Sequence, residues 1–165
     1  MYKFSIDDTN PKYGVYINLI SSPAGSYLSR RPYIFGLIKE VLETCKLNGQ
    51  RVVVEHDMGR DIGTTDVVLT SSSDNIYYAQ PIKSNVFSRF AKNRRPQVSS
   101  TLTVVFERDN LGNYEVTDTW IGINHPAFPG DKSATSASKK FWQNHALVQD
   151  AQLIQARTLT KVCPY

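Results

Sequence analysis

The chain has 165 residues, of which 41% are hydrophobic and 21% charged, with a formal net charge of +4. These values are typical of a single domain over residues 1–165, and they exclude a disordered tail, a fibrous repeat and a collagen-like chain. No run of about 18 apolar residues exists, and the first ten residues lack an apolar segment of signal-peptide length. Cys45 and Cys163 form neither a CxxC pair nor a disulfide framework, so we expect a cytoplasmic protein without a zinc site or a membrane partner.

The predicted elements begin with a strand and a helix. The strand covers residues 14–20, where apolar and β-branched residues dominate. The helix starts near Pro32, a residue that suits the first helical turn, and it ends at Asn48-Gly49, a common stop signal. Short β-rich stretches then predict strands at 51–55, 66–70, 76–80 and 86–90.

The clearest hairpin joins residues 99–108 to residues 114–122, because the stretch between them has turn chemistry. Alternation predicts that three apolar residues of its first strand share a buried face, with Val116 or Trp120 opposite them. These three residues are Leu102, Val104 and Phe106.

The last part of the chain is predicted to add a helix over residues 136–148 and an edge strand over residues 151–154. One helix followed by consecutive short strands, with a C-terminal helical segment, predicts an α+β fold with a mostly antiparallel β-sheet.

Basic residues are concentrated in the stretch from residue 83 to residue 95, which contains no acidic residue. Cations interleaved with aromatic rings favour RNA as a partner, since the cations contact phosphates while the rings stack on bases. The alternative is a solvated basic loop, and the acidic stretch at residues 55–66 offers it partners. The predicted nucleic-acid-binding residues are Lys83, Phe87, Arg89, Phe90, Lys92, Arg94 and Arg95.

No Walker loop, GxGxxG, GxSxG or HExxH motif is present, and such spacings carry most phosphate-binding, hydrolase and metal-dependent chemistry. RNA cleavage without a metal needs less, since the 2′-hydroxyl is the nucleophile and the protein supplies a base, an acid and cations. Histidine titrates near neutral pH without a large pKa shift, although a packing role is the alternative for each histidine. The predicted catalytic residues are His145, His56, Arg89, Lys83 and Thr119, and no cofactor is expected.

Several stretches together resemble a group of small bacterial proteins, which are similar in turn to the barnase/EndoU/RelE-like (BECR-type) ribonuclease toxins. The resemblance implies RNA cleavage without a metal by a toxin that pairs with an immunity or antitoxin protein. It further implies that Arg89 contacts phosphate and that His145 acts as acid or base. The stretches are 57–60 with 62–63, 78–81 with Lys83, 87–90, 118–122, 129–131, and 141–142 with 145–147.

Three classes of function therefore remain open from the sequence. The first is a metal-independent endoribonuclease acting on RNA. The second is a non-catalytic module, inhibitor-like or antitoxin-like, that binds nucleic acid or protein with the same sheet. The third is a structural or interaction protein. A histidine in one cleft with Arg89 and Lys83 favours the enzyme, whereas scattered histidines on a flat sheet favour binding.

Overall fold

The computed structural model describes residues 3–6, 15–18, 28, 30–148 and 153–165. It has the α+β fold with mostly antiparallel sheets that the sequence predicts. The predicted edge strand at 151–154 begins outside the described residues. The elements in chain order are β1 (Lys3–Ile6), β2 (Val15–Asn18), α1 (Ile34–Thr44), β3 (Arg51–Asp57), β4 (Gly63–Thr65), β5 (Val67–Leu69), β6 (Ile76–Ala79), β7 (Ser88–Ala91), β8 (Gln97–Ser99), β9 (Thr101–Arg108), β10 (Tyr114–Ile121), α2 (Ser136–Trp142), β11 (His145–Val148) and a 3₁₀ turn (Ala156–Thr158).

The chain divides into two units, each assembled from two separate stretches. Unit 1 comprises Met1–Gly63 and Ser99–Ile123, and unit 2 comprises Thr64–Val98 and Asn124–Tyr165. Unit 1 contains α1 and a five-stranded sheet in the order β1-β2-β10-β9-β3, while unit 2 contains α2 and a four-stranded sheet in the order β5-β11-β7-β6. Each sheet has one parallel pair, β2–β10 and β7–β11 respectively. The expectation of one domain over residues 1–165 stays a prediction.

The core of unit 1 joins one side of α1 to one face of the sheet. The buried residues of α1 recur at three- and four-residue spacing, so they share one side of the helix. The predicted inward face of β9 is confirmed, and so is the predicted helix, although it ends at Thr44 and not at Asn48-Gly49. The buried residues are Ile34, Leu37, Ile38, Val41 and Leu42 in α1, and Leu102, Val104 and Phe106 in β9.

A β-bulge in β10 decides which of its side chains reach this core. Val116 belongs to the core, but a register shift directly after it makes Thr103 the partner of Trp120. Trp120 therefore lies on the opposite face of the sheet, and Ile121 takes the inward position instead. Of the two predicted partners of β9, Val116 is right and Trp120 is wrong, because simple alternation does not include the extra residue.

The second helix is shorter than predicted. It covers seven residues and ends at Trp142, and the four residues His145–Val148 form β11. β11 pairs with β5 on one side and with β7 on the other. The predicted helix over 136–148 is thus wrong for its last part, because a short apolar run fits a buried strand as well as a helix. None of the described helices is long and apolar enough to cross a membrane.

Truncation of Phe106 tests the position of this core. Phe106 is 0% exposed, so Phe106→Ala is expected to lower the free energy of unfolding by about 3–5 kcal/mol, measured by urea denaturation. Leu111 is 86% exposed, and Leu111→Ala is the matched control with an expected change under about 0.5 kcal/mol. A loss below about 1 kcal/mol for Phe106→Ala contradicts the assigned inward face.

Candidate functional site

The predicted catalytic residues are divided between the two units. His56 and Thr119 belong to unit 1, whereas Lys83, Arg89 and His145 belong to unit 2. Thr119 is 1% exposed, and its hydroxyl donates to the backbone carbonyl of a β9 residue at 2.9 Å. His56 is half-buried in β3. The hydroxyl of Thr119 therefore has a structural partner inside unit 1.

Arg89 lies in β7 and connects several strands of unit 2. Its Nη1 donates to the hydroxyl of Thr70, directly after β5, and to the backbone carbonyl of His145, both at 2.9 Å. The guanidinium also forms a hydrogen bond with the Tyr78 side chain in β6. Burial raises the pKa of the Tyr78 hydroxyl, which keeps that group protonated. The side chain of Arg89 thus links β7 to β6, to β11 and to the residue after β5.

The side chains of Arg89 and His145 project from opposite faces of this sheet. Leu147 pairs with Phe90 in the parallel pair β11–β7. Since alternate residues of a strand point to the same face, His145 shares the face of Leu147 and Phe90, whereas Arg89 points to the other face. The guanidinium reaches the backbone of His145, but the strand geometry does not bring it into one cleft with the imidazole.

Two members of the basic stretch are engaged inside unit 2. Phe90 is 0% exposed and stacks on Tyr77 with a centroid distance of 5.3 Å, so its ring presents no face to a base. Arg94 forms an ion pair with Asp74 at 3.2 Å and donates to the backbone carbonyl of Leu69 at 3.1 Å. Both side chains thus have partners within unit 2.

The remaining residues of the stretch are more accessible. Lys83, Lys92 and Arg95 are exposed, and Phe87 is half-buried. Lys83 has a φ of 71°, a left-handed conformation that is uncommon outside glycine. The Nζ of Lys92 lies 4.9 Å from the centroid of the Tyr77 ring. These three cations are the part of the stretch that is open to a polyanion.

The structure also brings together two histidines that no sequence motif connects. The imidazole of His145 stacks on the ring of Phe141 with a centroid distance of 3.9 Å and an interplanar angle of 6°. On the loop before α2, the ring of His125 lies 6.4 Å from that of Phe141 and 5.6 Å from that of Trp142. We call His125, Phe141, Trp142 and His145 the two-histidine cluster.

Trp142 holds the His125 loop against α2. Its indole is 1% exposed, and its Nε1 donates to the carbonyl of Pro126 at 3.0 Å. Its ring also stacks on Phe128 of the same loop with a centroid distance of 3.9 Å. A buried indole needs an acceptor for its N–H, and here the acceptor directly follows His125 in the chain. The packing of Trp142 therefore determines where His125 lies.

Both imidazoles approach a backbone carbonyl with Nδ1. The distance is 3.0 Å from His145 to the oxygen of Phe141 and 3.4 Å from His125 to the oxygen of Pro126. Because a carbonyl oxygen only accepts, each ring donates from Nδ1, and in the neutral ring Nε2 then has the lone pair. Burial lowers the pKa of His125; the hydrogen bond to the carbonyl of Pro126 opposes this shift, and the positive charge of His145 adds to it.

No role is predicted for His125 from the sequence, since it lies in a loop and has no partner at motif spacing. Its neighbours Phe141 and Trp142 are far along the chain, so only the fold connects them.

Within the described ranges, no three His, Cys, Asp or Glu side chains lie close enough to hold a metal ion. The chain matches no family model, no curated protein and no solved structure.

The lowered pKa of His125 predicts a pH-dependent stability. The folded state disfavours protonation of this ring, so its stabilising contribution is present above the unfolded pKa of about 6.5 and is lost as the pH falls through the folded value. We expect the wild type to lose more free energy of unfolding between about pH 7.5 and pH 5 than His125→Gln. Urea denaturation at both pH values measures this difference.

A substitution at an exposed position of the same unit, Gln143→Asn, is the control and is expected to keep the wild-type pH dependence. An equal loss of stability in the wild type and in His125→Gln contradicts the burial of this imidazole.

Proposed function

We propose that the protein is a metal-independent endoribonuclease in which His125 and His145 form the acid–base pair. One observation carries the proposal: two imidazoles pack against one ring, that of Phe141. In each of them Nδ1 is held by a backbone carbonyl. Such a bond sets the orientation of a histidine and leaves Nε2 as the reacting nitrogen. The reaction class is that of the sequence prediction, but the second acid–base residue is His125 in place of His56. Arg89, which the resemblance implies as a phosphate contact, has its partners within the sheet of unit 2.

The proposed chemistry assigns one proton transfer to each ring. The lowered pKa of His125 favours its neutral form, so its Nε2 accepts the proton of the RNA 2′-hydroxyl while that oxygen attacks the adjacent phosphorus. His145 gives a proton to the departing 5′-oxygen as the bond between phosphorus and that oxygen breaks. The products are a 2′,3′-cyclic phosphate and a 5′-hydroxyl, and no external nucleophile is consumed.

The last turn of α2 contains two lysines that are close in the sequence to Phe141 and His145. Lys139 and Lys140 are exposed and immediately precede Phe141. Cations near the developing phosphorane stabilise its charge, and cations along the bound strand neutralise phosphates. We further propose that the exposed Lys83, Lys92 and Arg95 neutralise phosphates of the flanking nucleotides.

A non-catalytic module that binds RNA or protein is the second candidate. It is favoured by the packing of both imidazoles, because structural histidines also stack on aromatic rings and bond to backbone carbonyls. An inhibitor-like or antitoxin-like role belongs to this candidate. If the protein is the proposed enzyme, the sequence resemblance implies that it is a toxin with an immunity or antitoxin protein as its partner.

Cleavage of a defined RNA oligonucleotide in excess EDTA tests the enzyme proposal. We expect the wild type to produce fragments with 2′,3′-cyclic phosphate ends, and we expect His145→Gln and His125→Gln each to slow cleavage by about 100-fold or more. Circular dichroism checks that both variants are folded, so that a loss of activity reports on chemistry.

His56→Gln is the comparison variant, because it removes a histidine of unit 1 in the same way. We expect it to cleave at the wild-type rate, whereas a loss confined to this variant moves the site to unit 1. Retention of RNA on a filter without any cleavage by the wild type contradicts the enzyme and supports the binding module.

A further inference from the structure

A groove with a volume of about 370 Å³ lies within unit 1, between the start of α1 and the loop that joins β3 to β4. On the helix side it is lined by Tyr33, Gly36, Leu37 and Glu40, and on the loop side by residues 60–62. The spacing of three and four residues places the helix-side residues on one side of the helix. A groove of this size is large enough for a small organic molecule.

Gly36 keeps the middle of this groove open. A Cβ atom at this position would have no heavy atom within 4 Å, and the backbone of Gly36 does not adopt a positive φ. Neither close packing nor backbone strain therefore requires a glycine here. A glycine within a helix lowers the stability of the helix, because it loses more conformational freedom on folding than other residues. What the missing side chain provides at this position is the open space.

Hydrogen bonds between the helix and the loop fix both walls of the groove. The hydroxyl of Tyr33 donates to the backbone carbonyl of Ile62 at 2.9 Å. Arg60 donates to both carboxylate oxygens of Glu40, at 2.6 and 3.0 Å. Between these bonds, the side chains of Leu37 and Ile62 are buried and form an apolar floor. The fold itself thus sets the shape of the groove.

The groove carries one net negative charge, which comes from Asp61. Arg60 and Glu40 neutralise each other, and the hydrogen bond from Arg60 lowers the pKa of Glu40, so this pair stays charged near neutral pH. Asp61 is exposed, and in the part of the chain that the structure describes no hydrogen bond or ion pair engages its carboxylate. The ring of Tyr33 is 53% exposed and lies at the rim.

We propose that this groove binds a small organic cation, namely an ammonium group attached to an apolar body. The carboxylate of Asp61 accepts a charge-assisted hydrogen bond from the ammonium group. The apolar body occupies the space beside Gly36, against the ring of Tyr33 and the apolar floor. The site belongs to unit 1 and uses neither His125 nor His145, so it is a binding function in addition to the proposed RNA cleavage.

Titration of the full-length, ¹⁵N-labelled chain with 2-phenylethylammonium, followed in ¹H–¹⁵N correlation spectra, tests the proposal. We expect saturable shifts of the amide signals of Gly36 and Asp61, with a dissociation constant of about 1 mM or below. The neutral counterpart, 2-phenylethanol, is expected to bind at least about tenfold more weakly because it forms no ion pair. The anionic counterpart, phenylacetate, is expected not to bind.

Two substitutions separate the charge of Asp61 from the general acidity of the unit. Asp61→Asn keeps the size of the side chain and removes its charge, so it is expected to weaken binding of 2-phenylethylammonium at least about tenfold and to leave binding of 2-phenylethanol unchanged. Glu43→Gln removes an exposed carboxylate of α1 that does not line the groove. This control is expected to bind both probes like the wild type.

Substitutions of Gly36 test the role of the open space. Gly36→Leu is expected to fill the groove and abolish binding of 2-phenylethylammonium, while circular dichroism shows that the variant is folded. Gly36→Ala is expected to raise the midpoint of urea unfolding, because alanine favours a helix more than glycine does. The proposal is overturned by a wild type that shows no saturable shifts up to about 10 mM of the ammonium probe. Equal affinity of the wild type and Asp61→Asn for that probe also overturns it.

Discussion

The chain reversal between α2 and β11 is the constraint on which the rest of unit 2 depends. The carbonyl of Phe141 accepts a hydrogen bond from the backbone N–H of Asn144 at 3.1 Å, and the same oxygen lies 3.0 Å from Nδ1 of His145. These bonds satisfy the carbonyl of Phe141 at the end of the helix, where intrahelical partners are lacking. The chain then enters the sheet between β5 and β7, where the buried Ala146 and Val148 fill a central position.

The same reversal determines the positions of both imidazoles. It stacks the imidazole of His145 on Phe141, while the neighbouring Trp142 holds the His125 loop through its indole N–H. One helix end thereby positions both rings of the two-histidine cluster. The contacts that stabilise the fold thus include the bonds from Nδ1 of each imidazole to a backbone carbonyl.

The local patterns of the sequence predict much of unit 1 and less of unit 2. Helix α1 and the hairpin of β9 and β10 have strong local signals, namely regular apolar spacing and turn residues, and they form where expected. The inserted residue that turns Trp120 away from the core has no local signal, since only the pairing with β9 reveals it. No local signal identifies β11 as a strand either, because the three apolar residues Ala146, Leu147 and Val148 fit a strand or a helix equally well.

The candidate site shows the same division. The sequence shows the basic residues at 83–95 directly. It does not show that Arg94 pairs with Asp74 or that Phe90 is buried. His125 and Phe141 are brought together only by tertiary packing. The predicted site residues stay a prediction, and the proximity of His125 to Phe141 could not be predicted, because the two residues are 16 positions apart in the chain.

The protonation of the two imidazoles is the most direct test of this account. Long-range ¹H–¹⁵N correlation spectra of histidine-labelled protein report the tautomer and the titration of each ring. We expect neutral His125 and neutral His145 both to carry the proton on Nδ1, and we expect the pKa of His125 to rise in His145→Gln because a nearby positive charge is removed. A proton on Nε2 of neutral His145, or an unchanged titration of His125 in that variant, would contradict it.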